Sequence, residues 1–237
     1  MPYEQVTFAQ FKSDALARTG NPTFFSDAEM GKWINEAIRV WQVFTGYWRV
    51  TKTLKSQQGN AFYQTWDHPT PLLRPLRVRY QTSALDAAPL TVLAQESMLA
   101  ADQLRPGWQG DANGVPKRWF PVGISRICLN PAPSITGRTI SVDGLARAPV
   151  LSADTDYINL SESIFNSILD YVAHIAAFKQ GGAEFTASMD KYKSFIKAAG
   201  DQNLKFKNSS IYRRALGLNL DPKFRPVEGR AYGRGGL

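Results

Sequence analysis

The stretch SDAEMGKWINEAIRVWQVFTG, from Ser26 to Gly46, decides how the chain folds. Met30, Trp33, Ile34, Ala37, Ile38, Trp41 and Phe44 recur at steps of three and four, so they form one stripe of an amphipathic helix. Ser26 stands at its start with Glu29 three residues on, the spacing of a capping box. Phe25 and Met30 flank the cap as an apolar staple. Gly46 marks its end.

Two further positions carry the same signature. Thr7 lies between Val6 and Phe11 with Gln10 three residues on, and Ser161 lies between Leu160 and Phe165. From Ser161 a second stripe runs through Ile164, Phe165, Ile168, Leu169, Val172, Ile175 and Ala176 to Gly181-Gly182. A fourth helix is expected to follow at once, with Phe185, Met189, Tyr192, Phe195, Ile196 and Ala199 on its stripe and Gly200 at its end. The short Gly-Gly connection predicts an antiparallel pairing of the last two helices.

Between these helices the period changes. Leu76, Val78 and Tyr80 alternate with Arg77 and Arg79, which is strand spacing. Residues 49–55, 61–66, 124–129 and 139–145 read as further strands, with a short helix expected near 91–104 and a Gly- and Pro-bearing loop at 105–117. After Asn203 periodicity is lost among glycines and prolines, which predicts an extended arm. The expected fold is α+β: a four-helix bundle (1–47 and 152–203), an inserted antiparallel β-rich module (48–151) and an extended basic C-terminal arm (204–237). An arm of that kind gains order by wrapping a neighbouring subunit.

The chain has 237 residues, 43% hydrophobic and 20% charged, enough to bury a sizeable core. Its apolar runs are shorter than the roughly 18–20 residues a membrane span needs, and no signal segment opens it, so no membrane partner is expected. The single cysteine, Cys128, excludes an intramolecular disulfide and suits assembly in a reducing cytoplasm. The formal net charge is +8. Much of it lies in the arm, where Lys205, Lys207, Arg213, Arg214, Lys223, Arg225, Arg230 and Arg234 face only Asp221 and Glu228. Such an arm fits an acidic protein surface or nucleic acid. Arg213-Arg214 beside Tyr212, and Arg230 and Arg234 around Tyr232, interleave cations with aromatics able to stack on bases, though no recognised DNA-binding module surrounds them.

Catalytic reagents are few. His68 sits in an Asp-His-Pro turn, and His174 follows Asp170 by four residues, the spacing of a neighbouring pair on a helix, with no nucleophile motif beside either. One cysteine and two separated histidines give no usual metal-ligand spacing. Asp143, Asp154 and Asp156 could be drawn together as an acidic cation cluster, but read more simply as loop and turn acids. Cys128 falls in a strand, where it serves as a small hydrophobe. No phosphate-cradling or dinucleotide motif is present. The expectation is a non-enzymatic protein with no cofactor, no metal and no catalytic site. Trp108, in the Gly/Pro loop, either anchors an interface with a partner or is covered by its own loop.

Three segments in order resemble one family. They are Gly114-Val115-Pro116-Lys117-Arg118-Trp119 followed by Ile127-Cys128-Leu129-Asn130-Pro131-Ala132-Pro133; Leu160 through Gly182, with Leu169-Asp170-Tyr171-Val172-Ala173 and Lys179-Gln180-Gly181-Gly182; and the helix ending Trp41-Gln42-Val43-Phe44. Together they resemble the head-to-tail adaptor proteins of short-tailed bacteriophages, also called connector, tail tubular or head-completion proteins. The resemblance implies a structural virion protein at the head-tail junction, assembled in the host cytoplasm as a ring of about twelve copies. It would join the portal protein to a tail nozzle or to tail fibre or spike proteins. Double-stranded DNA would pass through the channel, with helices around it, the sheet facing outward or toward the tail, and the arm reaching the portal. On that footing Tyr212, Arg213, Arg214, Lys223 and Arg225 are the candidate portal-docking residues, and the partner implied for Trp108 is a tail component or another subunit. The alternative is a nucleic-acid-binding protein whose basic arm grips phosphates.

Overall fold

The caps place the helix starts in a computed structural model that describes residues 4–20, 23–66, 71–83, 89–104, 106–123 and 125–208. In chain order the elements are β1 (Glu4–Thr7), α1 (Phe8–Thr19), α2 (Asp27–Thr45), β2 (Arg49–Lys55), β3 (Phe62–Gln64), β4 (Leu72–Gln81), β5 (Leu90–Val92), β6 (Ala94–Gln95) and α3 (Met98–Leu104). A 3-10 turn, Trp108–Gly110, leads to β7 (Arg118–Val122), β8 (Arg126–Asn130), β9 (Thr139–Ala146), β10 (Tyr157–Leu160), α4 (Glu162–Gln180), α5 (Gly182–Ala187) and α6 (Met189–Asn208). Thr7 accepts from the Gln10 amide, and Ser26 and Glu29 complete a reciprocal capping box. Ser161 occupies the N-cap position of α4, but its hydroxyl pairs with the Ser163 hydroxyl rather than with a backbone amide of the first turn. Gly46 closes α2 in the left-handed region at φ 60°, donating its N–H to the Gln42 carbonyl.

The α+β class holds, but the expected four-helix bundle does not form. Instead β1 pairs antiparallel with β10, Val6 opposite Ile158, and the buried side chains of this ribbon belong to the same core as the helices. Pairing the ribbon satisfies backbone groups and supplies apolar area that a fully helical bundle would draw from other helices. The Gly181-Gly182 pair likewise does not join two long helices directly. The short α5 intervenes, and the chain turns again at Ser188 before α6. α6 then runs back along α4, with Tyr171 against Phe195 at 4.5 Å and His174 against Tyr192 at 4.9 Å between ring centroids. It passes through Gly200 to Asn208, so residues 204–208, expected in the arm, are helical. Packing of Phe195 and Ala199, both buried, outweighs the cost of about 1 kcal/mol for a helical glycine.

The middle of the chain also departs from one antiparallel sheet. It forms two four-stranded sheets, ordered β2-β9-β4-β5 and β3-β8-β7-β6, and β6 runs parallel to β7. They share a core in which Leu72, Val78, Ile140 and Val142 meet Tyr63, Trp119, Ile127 and Leu129. This is a sandwich, with alternate residues directed inward from both sheets. At Gly144 a Cβ would lie 2.5 Å from the Arg74 carbonyl oxygen, so only glycine lets β9 approach β4 where their register shifts.

Two amides on one face of α2 join the halves. Asn35 donates to the Leu151 carbonyl and accepts from the Leu151 N–H, both at 2.8 Å. One heptad on, buried Gln42 accepts from the Trp48 N–H at 2.7 Å and donates to the carbonyls of Trp48 (2.8 Å) and Ala146 (2.6 Å). The outgoing and returning chains are thereby fixed to the same helix and to each other, since Ala146 N–H also donates to the Trp48 carbonyl at 2.9 Å.

Candidate interaction surfaces

The two halves of the Gly-x-Pro and Pro-x-Pro motif, separate in sequence, lie side by side. Arg118 pairs with Asn130 and Trp119 with Leu129 across β7 and β8. Gly114 N–H donates to the Ala132 carbonyl at 2.8 Å, and Ser134 N–H to the Gly114 carbonyl at 2.9 Å. Trp108 folds inward over them: it is 5% exposed, its indole N–H donates to Asp102 Oδ1 at 2.7 Å, and its ring lies 4.9 Å from that of Phe120. Within the single chain the ring is thus buried against α3 and the sheet. Ala101, Phe120 and Cys128 complete the cluster. What remains open beside it is a groove of about 710 Å³ lined by Trp108, Asp111, Lys117, Arg118, Asn130 and Pro131. The groove presents cations, an amide and a carboxylate around an apolar floor, a composition suited to a polypeptide surface.

Exposed apolar side chains mark both ends of the helical half. Before α2, Phe24 and, at the end of α4, Phe178 (71% exposed) flank Lys179, whose ammonium lies 5.0 Å from the Phe24 ring centre and 2.6 Å from Glu29. Lys179 and the Ser26 cap hold the Glu29 carboxyl down at about 2. At the other end of α2, Val43 (73% exposed) and Phe44 lie near exposed Leu204, and Asn203 donates to the Phe44 carbonyl at 3.0 Å. A 19-residue helix separates the two patches by about 28 Å.

The residues considered for chemistry are dispersed. Asp170 pairs with Arg18 at 2.5 Å, not with His174. His174 hydrogen-bonds Ser188 at 2.9 Å between the rings of Phe185 and Tyr192, and burial pulls its pKa below the usual value. The three acids also separate. Asp154 pairs with Lys12 at 2.7 Å, and Asp156 accepts from the amides of Ser152 and Ala153. Asp143 lies on β9 between Arg77 Nη2 at 2.5 Å and Arg79 Nη2 at 2.9 Å. Burial pushes the Asp143 carboxyl up, but the Thr51 hydroxyl and the two guanidiniums outweigh that and hold it below the ordinary carboxylate value. Among the described residues no group of three or more His, Cys, Asp or Glu could hold a metal ion. Burial raises the Cys128 thiol to about 11, which keeps it protonated. No helix among the described residues is long and apolar enough to cross a membrane. His68 and the arm residues Tyr212, Arg213, Arg214, Lys223 and Arg225 lie outside the described residues.

Sequence reasoning passed over Asn35 and Gln42, because an amide on a helix reads as surface until its partners are known. It noticed Arg77 and Arg79 alternating on β4, but their partner Asp143 comes from a strand far along the chain.

Comparison with known proteins gives one family. The model of the SU10 adaptor protein family matches residues 6–215, which takes in both halves of the fold and reaches Tyr212, Arg213 and Arg214 but not Lys223 or Arg225. No curated protein matches the chain. With the match spanning nearly the whole of the fold described above, the chain belongs to the SU10 adaptor protein family and is a structural, head-to-tail adaptor protein of a bacteriophage virion.

Proposed function

We propose that copies of this chain form an oligomeric ring that joins the portal protein to the tail and continues the channel for DNA. The observation that carries the ring is the pair of separate apolar patches at opposite ends of α2, Phe24 with Phe178 and Val43 with Phe44. Patches on different faces suit a heterologous contact, one patch of each copy meeting the other patch of the next, and such contacts close into rings when the rotation allows. In this reading the helical part makes the subunit contacts. The arm, through Tyr212, Arg213, Arg214, Lys223 and Arg225, docks on the portal. The groove beside Trp108 receives a tail nozzle, fibre or spike protein, with Trp108 acting from beneath the surface to hold the groove's shape.

The experiment is the mass of the purified protein by light scattering, alone and with purified portal rings. A portal-bound assembly of many copies is expected, and removal of the residues after Asn208 should abolish portal binding. A truncated chain that binds portal like the full chain would refute the docking role of the arm. Full chain that ignores portal would refute the adaptor geometry.

A further inference from the structure

The sandwich has two unlike outer faces. That of the β3-β8-β7-β6 sheet is covered by the Trp108 turn and α3, which pack on Phe120 and Cys128. At the outer face of the β2-β9-β4-β5 sheet the end of α2 reaches Leu145, Arg49 and Arg74, and the rows beyond them carry polar and charged side chains. Register fixes what stands there. In one row Thr51 lies opposite Asp143, and Asp143 opposite Arg77. In the next Thr53 lies opposite Ser141, and Ser141 opposite Arg79; Lys55 is opposite Thr139 beyond. Their apolar neighbours Val50, Leu54, Val78, Ile140 and Val142 belong to the core behind.

The charge on this sheet is strongly one-sided. By alternation its outer face carries Arg49, Lys55, Arg74, Arg77 and Arg79 against one acid, Asp143, whereas Lys52 is in phase with Val50 and Leu54. Arg77 and Arg79 share that single carboxylate and keep 31% and 28% of their side chains exposed, so the network retains a positive charge at the surface. Arg79 also has a buried Nε with no acceptor. Thr51, Thr53 and Lys55 are exposed.

We propose that this face is a sequence-independent binding surface for the phosphate backbone of duplex DNA. Arg77, Arg79 and Lys55 supply the charge, and Thr53 supplies a hydroxyl. Phosphate oxygens are contacted by this combination of Arg, Lys, Ser and Thr. Protein interfaces instead centre on buried aromatic anchors, and no aromatic side chain stands in these rows. Residues two apart on a strand are about 7 Å apart, so the cations form a flat array that tracks a backbone and offers no projecting element to read base edges. The inference rests on the reading that DNA passes through the assembled adaptor, and it departs from the arrangement the family resemblance implies by setting this sheet, rather than the helices, against the duplex.

The test uses the full chain and a fluorescent 30-base-pair duplex of mixed sequence across a salt series. Two sheet variants are compared with an arm variant, Arg213→Gln with Arg214→Gln. Thr53→Glu with Lys55→Glu alters exposed residues that do not hold Asp143. Arg77→Gln, Arg79→Gln and Asp143→Asn together neutralise the network without orphaning its carboxylate. Each lost phosphate contact lowers the slope of log K against log salt by about 0.9, so each sheet variant should lower it by about one to two. Sheet variants that bind as the parent does would overturn the proposal, as would displacement of the duplex by poly-L-glutamate at equal charge, which would assign the face to an acidic protein. Sheet variants that lose duplex affinity but still assemble on portal rings would support the proposal independently of portal joining. Intact duplex binding with no portal assembly would refute the adaptor geometry and leave this surface standing.

Discussion

Replacing Gln42 with leucine should weaken the whole molecule through one joint. The side chain is 2% exposed and makes three hydrogen bonds, to the Trp48 N–H, the Trp48 carbonyl and the Ala146 carbonyl. Leucine fills the space but removes the acceptor of the Trp48 N–H and a donor to the Ala146 carbonyl; the Trp48 carbonyl keeps the Ala146 N–H. A buried group left unpaired costs about 1–3 kcal/mol, so the substitution should cost about 3 kcal/mol in all. For a domain of this size that lowers Tm by roughly 6–12 °C. Thermal unfolding followed by circular dichroism measures it. Gln42→Glu should do worse at neutral pH, because it sets a carboxylate against two carbonyls, and should recover part of the loss near pH 4 where the acid is protonated. A Tm within about 2 °C of the parent for Gln42→Leu would refute the claim that this amide couples the halves.

Two further outcomes are expected. Cys128 is fully buried and its thiol is raised to about 11, so a thiol-specific aromatic disulfide reagent at pH 8 should label the folded chain far more slowly than the denatured chain; equal rates would contradict the burial. Glu29, ordinarily near 4.5, is held at about 2 by Lys179 and Ser26. A depressed acid contributes stability that is present above 4.5 and lost as pH falls toward 2, so Glu29→Gln should flatten the decline in stability over that window; parallel declines in denaturant titrations would rule out this contribution.

Features set by neighbours in sequence were legible. Ser26 with Glu29, and the stripe from Met30 to Trp41, define α2 because capping and a 3.6-residue period act within a few turns. The residues 49–55 expected as a strand are β2, since alternation too is local. Most of the misreadings involve distant partners. Val6 marks a helix staple in sequence, yet it also sits in a strand whose mate begins at Tyr157. Alternation found strands but could not divide them into two sheets or make β6 parallel. The break at Ser188 escaped because its hydroxyl reaches the Phe185 carbonyl and its partner His174 lies on another helix. Trp108 drew attention as an aromatic in a Gly-rich loop, and only the fold supplied Asp102, Phe120 and Cys128 to cover it.

The insertion of the sandwich between α2 and α4 has a consequence for how the chain is made. Trp41 leaves the ribosome well before Phe165, and at about 5–20 residues per second the stripe of α2 waits roughly 6–25 s for the helices that cover it. Everything synthesised in that interval belongs largely to the sandwich, which has its own core. Once the sandwich folds, pairing of Trp48 with Ala146 brings the two ends of the long excursion within one strand spacing. The entropy of closing that loop has then been spent, and α4 arrives beside α2 as though only a short turn separated them. The sandwich would thus bring the two ends of the excursion together before α4 is made.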